Sequence, residues 1–322
     1  MSEFVRIDLK SKRLPLRAVF WGYHNTGLSS YRLLRASDVF EVVAIVVPPN
    51  RTHETIEVLK TDALKSGLRV FAPKDLHDGG LIEDLRKLTP DVYIVDSYTK
   101  LIPKEHLGLV DYFAFNLHPG RLPHYRGAHV MNWAMINGEK EVGITLHLVS
   151  DTFDEGPIVD ERCVDVSPDD DINDLDRKVA AEIPDIFHSL EQKIRSRMIV
   201  ATCQPPGGTH YRARKPKDGM IDVTSQAQTI HNKIRALAHP WPGAYLVRNE
   251  KKLVIWRAGI CKEEISGTCG DIVKRGRRCF LIAGDHRILA IECMNDPRSN
   301  GYKPVKALDI ARVLHECNVE VK

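Results

Sequence analysis

The 322-residue sequence has no C-x-x-C pair, no G-x-G-x-x-G turn and no apolar run approaching the roughly 18 residues that a membrane-spanning helix needs. Seven cysteines (Cys163, Cys203, Cys261, Cys269, Cys279, Cys293 and Cys317) are an odd, unpatterned set lying mostly among apolar neighbours, which reads as reduced core filler rather than a disulfide framework or a zinc site. The missing glycine fingerprint argues against a nicotinamide dehydrogenase. His118, His124 and His129 are spaced by six and five residues, which matches no metal-ligand pattern, so no metal is expected. The basic start, "MSEFVRIDLKSKRLPLRAVFWGY", is followed by no long apolar segment or small-residue cleavage site, so the expected location is cytoplasmic and no membrane contact is expected.

What is present is an ordinary globular composition, 43% hydrophobic and 28% charged, on a chain long enough for two domains with real cores. The net charge of +3 hides an asymmetry. Residues 1–200 carry 25 Lys and Arg against 31 Asp and Glu, a net of −6, whereas residues 201–322 carry 21 against 12, a net of +9. A basic second half suits an anionic partner such as tRNA or a nucleotide, and a solvated mixed-charge face explains it as well.

Apolar runs at 16–23, 41–47, 68–72, 91–96 and 112–117 read as strands buried on both faces. Helical segments at 26–37, 54–67 and 80–89 separate the first four. This alternation predicts an α/β fold with a mostly parallel, doubly wound (Rossmann-like) sheet. A helix at 128–139, a strand at 142–149 and an acidic turn at 150–159 follow. A long amphipathic stretch at 171–196 reads as one or two helices, with Pro184 as a kink or break. Pro, Gly and basic residues crowd 203–219. Beyond them a helix at 227–239 and short strands spaced by turns suggest a smaller C-terminal β-barrel (OB-like). The expected division is a catalytic domain over 1–203, a linker over 204–219 and the barrel over 220–322.

The stretch "NLHPGRLPHYRG" (116–127) marks the chemistry. In a strand, residues i and i+2 share a face, so Asn116 and His118 project together from a strand's carboxyl end, where α/β sheets gather ligands. The turn "DTFDEG" follows a strand expected nearby, and any of Asp151, Asp154 and Glu155 could bring a carboxylate to the imidazole. Such a carboxylate fixes the tautomer and raises the basicity of the ring, while Asn supplies an uncharged N–H for a developing oxyanion. With no Ser or Cys nucleophile adjacent, the set suits direct acyl transfer to an external amine. "GYHNTG" (22–27), at the first strand-to-helix turn, reads equally as a tight turn or an anion contact.

"FNLHPGRLPHYRG", the "NW" and "NGE" after it, and "FDEGPIV" resemble the catalytic core of the 10-formyltetrahydrofolate-dependent formyltransferases, whose pattern is N-x-H, L-P-x-[YFW]-R-G and a downstream D-x-G. The likeness covers nearly the whole chain and is nearest the sugar-nucleotide N-formyltransferases, such as those acting on UDP-4-amino-4-deoxy-arabinose. It implies Asn116, His118 and Asp154 as catalytic residues. It also implies Ser97, Tyr98, Leu101, Ile102, Asp151 and Gly156 as contacts of 10-formyltetrahydrofolate, and Tyr23, His24, Arg121, Tyr125 and Arg126 as contacts of a nucleotide-linked aminosugar. A homodimer is compatible with it. Methionyl-tRNA formyltransferase, which the basic second half favours, ranks below this reading, as does a non-catalytic nucleotide-sugar binding protein. Two departures bear on acceptor choice: Pro119-Gly120-Arg121 stands where the family usually has small-Ser-Leu, and Glu155 stands between Asp154 and Gly156.

Overall fold

A computed structural model describes residues 3–49, 53–111, 113–299 and 301–322. After β1 (Phe4–Asp8), strands and helices alternate as β2 (Leu16–Gly22), α1 (His24–Ala36), β3 (Phe40–Val46), α2 (Glu54–Lys65), β4 (Arg69–Phe71), α3 (Gly79–Lys87), β5 (Val92–Asp96), a one-turn helix α4 (Lys104–Leu107) and β6 (Ala114–His118). The near-continuous apolar runs of β2, β3 and β5 are buried on both faces, which fits strands covered by helices on either side. The expected strand at 112–117 is β6; residue 112 lies outside the described residues.

The chain continues through β7 (Arg126–Gly127), α5 (Val130–Asn137), β8 (Glu141–Leu148), β9 (Ile158–Asp165), α6 (Ile172–Arg195), β10 (Met198–Thr202) and β11 (His210–Tyr211). Nine strands form one sheet in the order β1-β10-β9-β8-β6-β5-β2-β3-β4. From β6 to β4 every pairing is parallel, and from β6 to β1 every pairing is antiparallel. The doubly wound α/β core is thus extended by an antiparallel wing, and β6 is the strand at which direction changes. A single helix, α6, runs through Pro184 without ending, and its stripe of Val179, Ile183, Ile186, Phe187, Leu190 and Ile194 is buried.

By contacts the chain separates into two compact units. The first comprises Met1–Gly127, Glu141–Asp165 and Asp176–Tyr211, and the second Ala128–Lys140, Val166–Leu175 and Arg212–Lys322. In the second, α7 (Ala227–Ala236) packs with α5, where Asn132 Nδ2 donates to Ala236 O at 2.7 Å. Strands β12 (Ala244–Arg248), β13 (Lys251–Cys261), β14 (Ile272–Arg275), β15 (Arg278–Ile282), β16 (Ile288–Asn295) and β17 (Pro304–Lys306) make an antiparallel sheet, ordered β12-β13-β16-β15-β14 with β17 on the far end of β16. A helix, α8 (Ile310–Glu316), follows, and Lys322 then pairs through its backbone with Ile272 and Lys274 of β14. Among the described residues no helix is long and apolar enough to cross a membrane.

Candidate active site

The reversal of direction at β6 places two strand ends together. Asn116 lies directly opposite His147 in the antiparallel pairing of β6 with β8, and His118 lies opposite Thr145. The loop from β8 to β9 carries Asp154, which is buried and held in a left-handed conformation at φ 57°. These are the groups the sequence pattern singled out, and the fold brings Asn116, His118 and Asp154 into one cluster. Asn116 Nδ2 lies 3.3 Å from Asp154 Oδ1, and His118 Nδ1 lies 3.6 Å from Asp154 Oδ2. The backbone N–H of Gly127 donates to Asp154 Oδ2 at 2.8 Å.

The hydrogen bonds fix the protonation pattern. His147 Nδ1 is 2.8 Å from Leu148 O, so it carries the proton, and Nε2 accepts from Asn116 Nδ2 at 3.0 Å. One N–H of the Asn116 amide is therefore committed to His147, and the other meets only the longer contact to Asp154. His118 Nε2, 2.7 Å from Tyr125 O, is likewise a donor to a carbonyl, which leaves the Nδ1 lone pair on the side of the Asp154 carboxylate. A proton arriving at Nδ1 would fall between ring and carboxylate, and its charge would be balanced there.

The electrostatics agree with this polarity. Burial lowers the pKa of His118 from 6.5, opposed by the Asp154 charge and the bond to Tyr125 O, so the resting ring is neutral. Burial on its own would raise Asp154. Interactions with His118 and His147 in their protonated forms, together with the Gly127 N–H, overcome it and hold the carboxyl well below the usual carboxylate range. The cluster is thus a neutral imidazole beside a fixed anion. Among the described residues no group of three or more His, Cys, Asp or Glu side chains is placed to hold a metal ion.

Three glycines make the geometry possible. A Cβ on Gly120 would stand 2.6 Å from both His118 Nε2 and Tyr125 O, on top of the hydrogen bond that fixes the tautomer. On Gly156 it would stand 1.7 Å from Leu148 O, and on Gly127, at φ 97°, 2.1 Å from Tyr211 O. The Pro119-Gly120-Arg121 departure therefore supplies a residue without which His118 could not sit as it does.

Tyr125, at φ 57°, contributes its carbonyl to His118 and stacks its ring on Tyr211 at 4.9 Å and 7°. Arg126 is buried and acts within the protein: Nε and Nη2 donate to Gln204 Oε1 at 3.1 and 2.6 Å, and Nη1 donates to Gly207 O at 3.2 Å. Glu155, the second departure, faces Arg126 Nη1 at 3.4 Å and His210 Nε2 at 3.3 Å. Ser97 and Tyr98 follow β5, the parallel neighbour of β6, at the same end of the sheet. Tyr98 Oη is buried with no hydrogen-bond partner among the described residues, Leu101 is half-buried, and Ile102 belongs to the core. Asp151 is exposed and pairs with Lys104 Nζ at 2.8 Å. Tyr23 and His24 lie at the start of α1 beside His53, His24 with its ring 4.8 Å from that of His53. Arg121 is not gathered into the cluster. It is exposed, pairs with Glu141 at 3.6 Å, and lies against Gly143, four residues along β8 from His147.

Two contributors carried no recognisable signal in the sequence. His147 joins because it faces Asn116 in register, which "TLHLV" reveals only once the pairing is known. Gln204 Nε2 donates to Asp154 O and Gly156 O, both at 2.8 Å, and so clamps the loop that presents the carboxylate.

The family described as formyl transferase matches residues 35–189, and its C-terminal domain matches residues 214–313. Among solved structures, the chain is similar to an N-formyltransferase from Helicobacter canadensis in complex with folinic acid and dTDP-3-aminofucose, at 18% identity over 86% of this chain and 98% of that one, with a TM-score of 0.65. It is similar to WlaRD, a sugar 3N-formyl transferase solved with dTDP and 5-N-formyl-THF, at 19% identity over 87% and 98%, TM-score 0.63. It is also similar to HypX from Aquifex aeolicus in complex with tetrahydrofolic acid, at 20% identity over 96% of this chain, TM-score 0.61, and spans about half (49%) of that longer protein. At these identities the likeness to each is one of fold. The two matched regions take in most of the sequence, and the chain belongs to the formyl transferase family.

Proposed function

We propose that this chain transfers the formyl group of 10-formyltetrahydrofolate to the amine of a nucleotide-linked aminosugar. The observation that carries this reading is the meeting of Asn116, His118 and Asp154 around one point with no Ser or Cys nucleophile among them. Such a set has no group to form an acyl-enzyme and every group needed to let an outside amine attack directly. Solved relatives hold tetrahydrofolate or formyl-folate ligands, and two hold dTDP or a dTDP-aminosugar, which supports the choice of donor and acceptor.

The residues present fit such a donor. The unpartnered Tyr98 Oη and the loosely held second N–H of Asn116 belong to neighbouring strand ends, where a polar ligand would find both a hydroxyl and an amide. The folate supplies the formyl carbon; the protein supplies the rest. The Asn116 N–H that makes the longer, 3.3 Å contact to Asp154 also meets the negative charge that builds on the formyl oxygen as the amine attacks. His118 Nδ1 takes the proton the amine must lose, and Asp154 stabilises the imidazolium that results. That proton then serves the nitrogen of the departing folate.

The reading is tested with a panel of nucleotide-linked 3- and 4-aminosugars incubated with 10-formyltetrahydrofolate, following tetrahydrofolate release. One member is expected to turn over. Asn116→Ala is expected to lower kcat roughly 100-fold or more, the usual cost of an oxyanion donor. Near-normal turnover in both Asn116→Ala and His118→Ala would overturn the site. The net of +9 on residues 201–322 favours a second acceptor, a formylatable aminoacyl-tRNA, through the same chemistry.

A further inference from the structure

Asp96 ends β5 as a buried carboxylate that the chemistry above does not use. No Lys or Arg pairs with it among the described residues; three hydroxyls do. Thr26 Oγ1 and Ser97 Oγ donate to Oδ1 at 2.9 and 3.0 Å, and Ser30 Oγ donates to Oδ2 at 2.7 Å. Thr26 Oγ1 and Ser97 Oγ are themselves 3.1 Å apart. Burial pushes the pKa of Asp96 up to about 6, the three hydroxyls oppose the rise, and Asp176 adds like charge. At neutral pH the group therefore remains an acceptor for all three. Its main-chain carbonyl is also closely enclosed: a Cβ on Gly22 would come within 2.0 Å of it, and one on Gly27 within 3.1 Å. β2, α1 and β5 are thus pinned at one point.

The next residue makes that point consequential. Ser97 has φ 63°, a left-handed conformation that a residue with a side chain adopts only when its surroundings hold it there. The holding contacts are those to Asp96 and Thr26. Asp96 itself pairs with Leu117, between Asn116 and His118, so the segment that departs at Ser97 leaves the sheet beside the reaction cluster. Tyr98 then packs its ring edge-on against Trp21 at 5.4 Å with its hydroxyl unpartnered.

We infer that Asp96 is a positioning residue for the folate co-substrate: by holding Ser97 in its left-handed turn, it sets the path of residues 97–102 along the site. This rests on the folate-dependent reading above. Asp96 touches no reacting atom, so its loss acts on binding of the co-substrate and leaves the chemistry at Asn116 and His118 intact.

The test is a coupling measurement using 5-formyltetrahydrofolate as the binding probe. Asp96→Ala, which leaves the Ser97 hydroxyl without its acceptor, is expected to weaken binding roughly 10-fold and to raise KM for 10-formyltetrahydrofolate in step, with kcat at saturation within about threefold of the parent. Ser97→Ala reports the same tie without disturbing the buried carboxyl and is expected to weaken binding similarly. In a Ser97→Gly background, where glycine adopts positive φ unaided, Asp96→Ala is expected to change affinity by less than about twofold relative to Ser97→Gly alone. Equal weakening by Asp96→Ala in both backgrounds, or unchanged binding in both Asp96→Ala and Ser97→Ala, would overturn the role of Asp96 while leaving folate dependence standing. A parent protein that binds no 5-formyltetrahydrofolate and uses no 10-formyltetrahydrofolate would overturn both together.

Discussion

A neutral imidazole 3.6 Å from a fixed carboxylate has a defined response to pH. Burial is the largest influence on His118 and lowers its pKa, while the charge of Asp154 raises it. If His118 is the base, the acid limb of kcat/KM should fall below pH 6.5, with activity retained above it and lost as His118 protonates. Asp154→Asn removes the raising influence, so the limb should move further down in pH while the rate drops, because the imidazolium is no longer balanced. Profiles between about pH 5 and 9 for parent and variant check both the position and the direction of the shift. A limb that moves up in Asp154→Asn would assign the titration to another group. Asn116 and His118 were legible in the sequence because strand alternation alone puts i and i+2 on one face. His147 was not, since its part depends on register with another strand, and a lone His in "TLHLV" is compatible with many surroundings. Arg126 was legible as a position, and its bonds to Gln204, Gly207 and Glu155 show themselves only in the folded chain.

At the level of elements, the site depends on a loop held from outside. The β8–β9 connection is clamped by Gln204, whose amide spans Asp154 O and Gly156 O while Arg126 grips its carbonyl. Gln204→Ala removes both bonds and leaves a buried guanidinium short of its acceptor. The expected cost is roughly 1–3 kcal/mol of stability, read by denaturant unfolding, with a drop in kcat because Asp154 is no longer held against His118. Gly156→Ala is expected to be more damaging to activity, since its Cβ would meet a backbone carbonyl that cannot turn aside at 1.7 Å. The parallel elements were readable because double-sided burial writes nearly unbroken apolar runs. Strands β1, β9 and β10 escaped notice for the converse reason. Their exposed faces carry residues such as Arg6, Asp8 and Glu161, and the run "IVDERCVD" alternates too weakly to announce a strand. Pro184 left one helix or two open, and one forms: the buried stripe of α6 outweighs the backbone bond the proline forfeits.

At the level of the whole molecule, charge decides between acceptors. The +9 on residues 201–322 and the −6 on residues 1–200 are properties of composition, and they raise the concentration of any polyanion near the second half of the chain. A nucleic-acid complex resting on 6–10 phosphate contacts would lose roughly 10³–10⁵ in affinity between 50 and 200 mM salt, because each contact releases condensed counterions. A nucleotide-linked sugar carries only a few charges and loses far less. If the acceptor is the small molecule, kcat/KM for it should change by no more than about tenfold across that salt range, and added tRNA should not compete at the higher salt. Steep, parallel losses of turnover and of tRNA binding would instead give the basic half a direct part in recognising the acceptor. On the proposed reading the chemistry would stand unchanged in that case, since Asn116, His118 and Asp154 would act on the formyl carbon and an amine whichever molecule carries the amine.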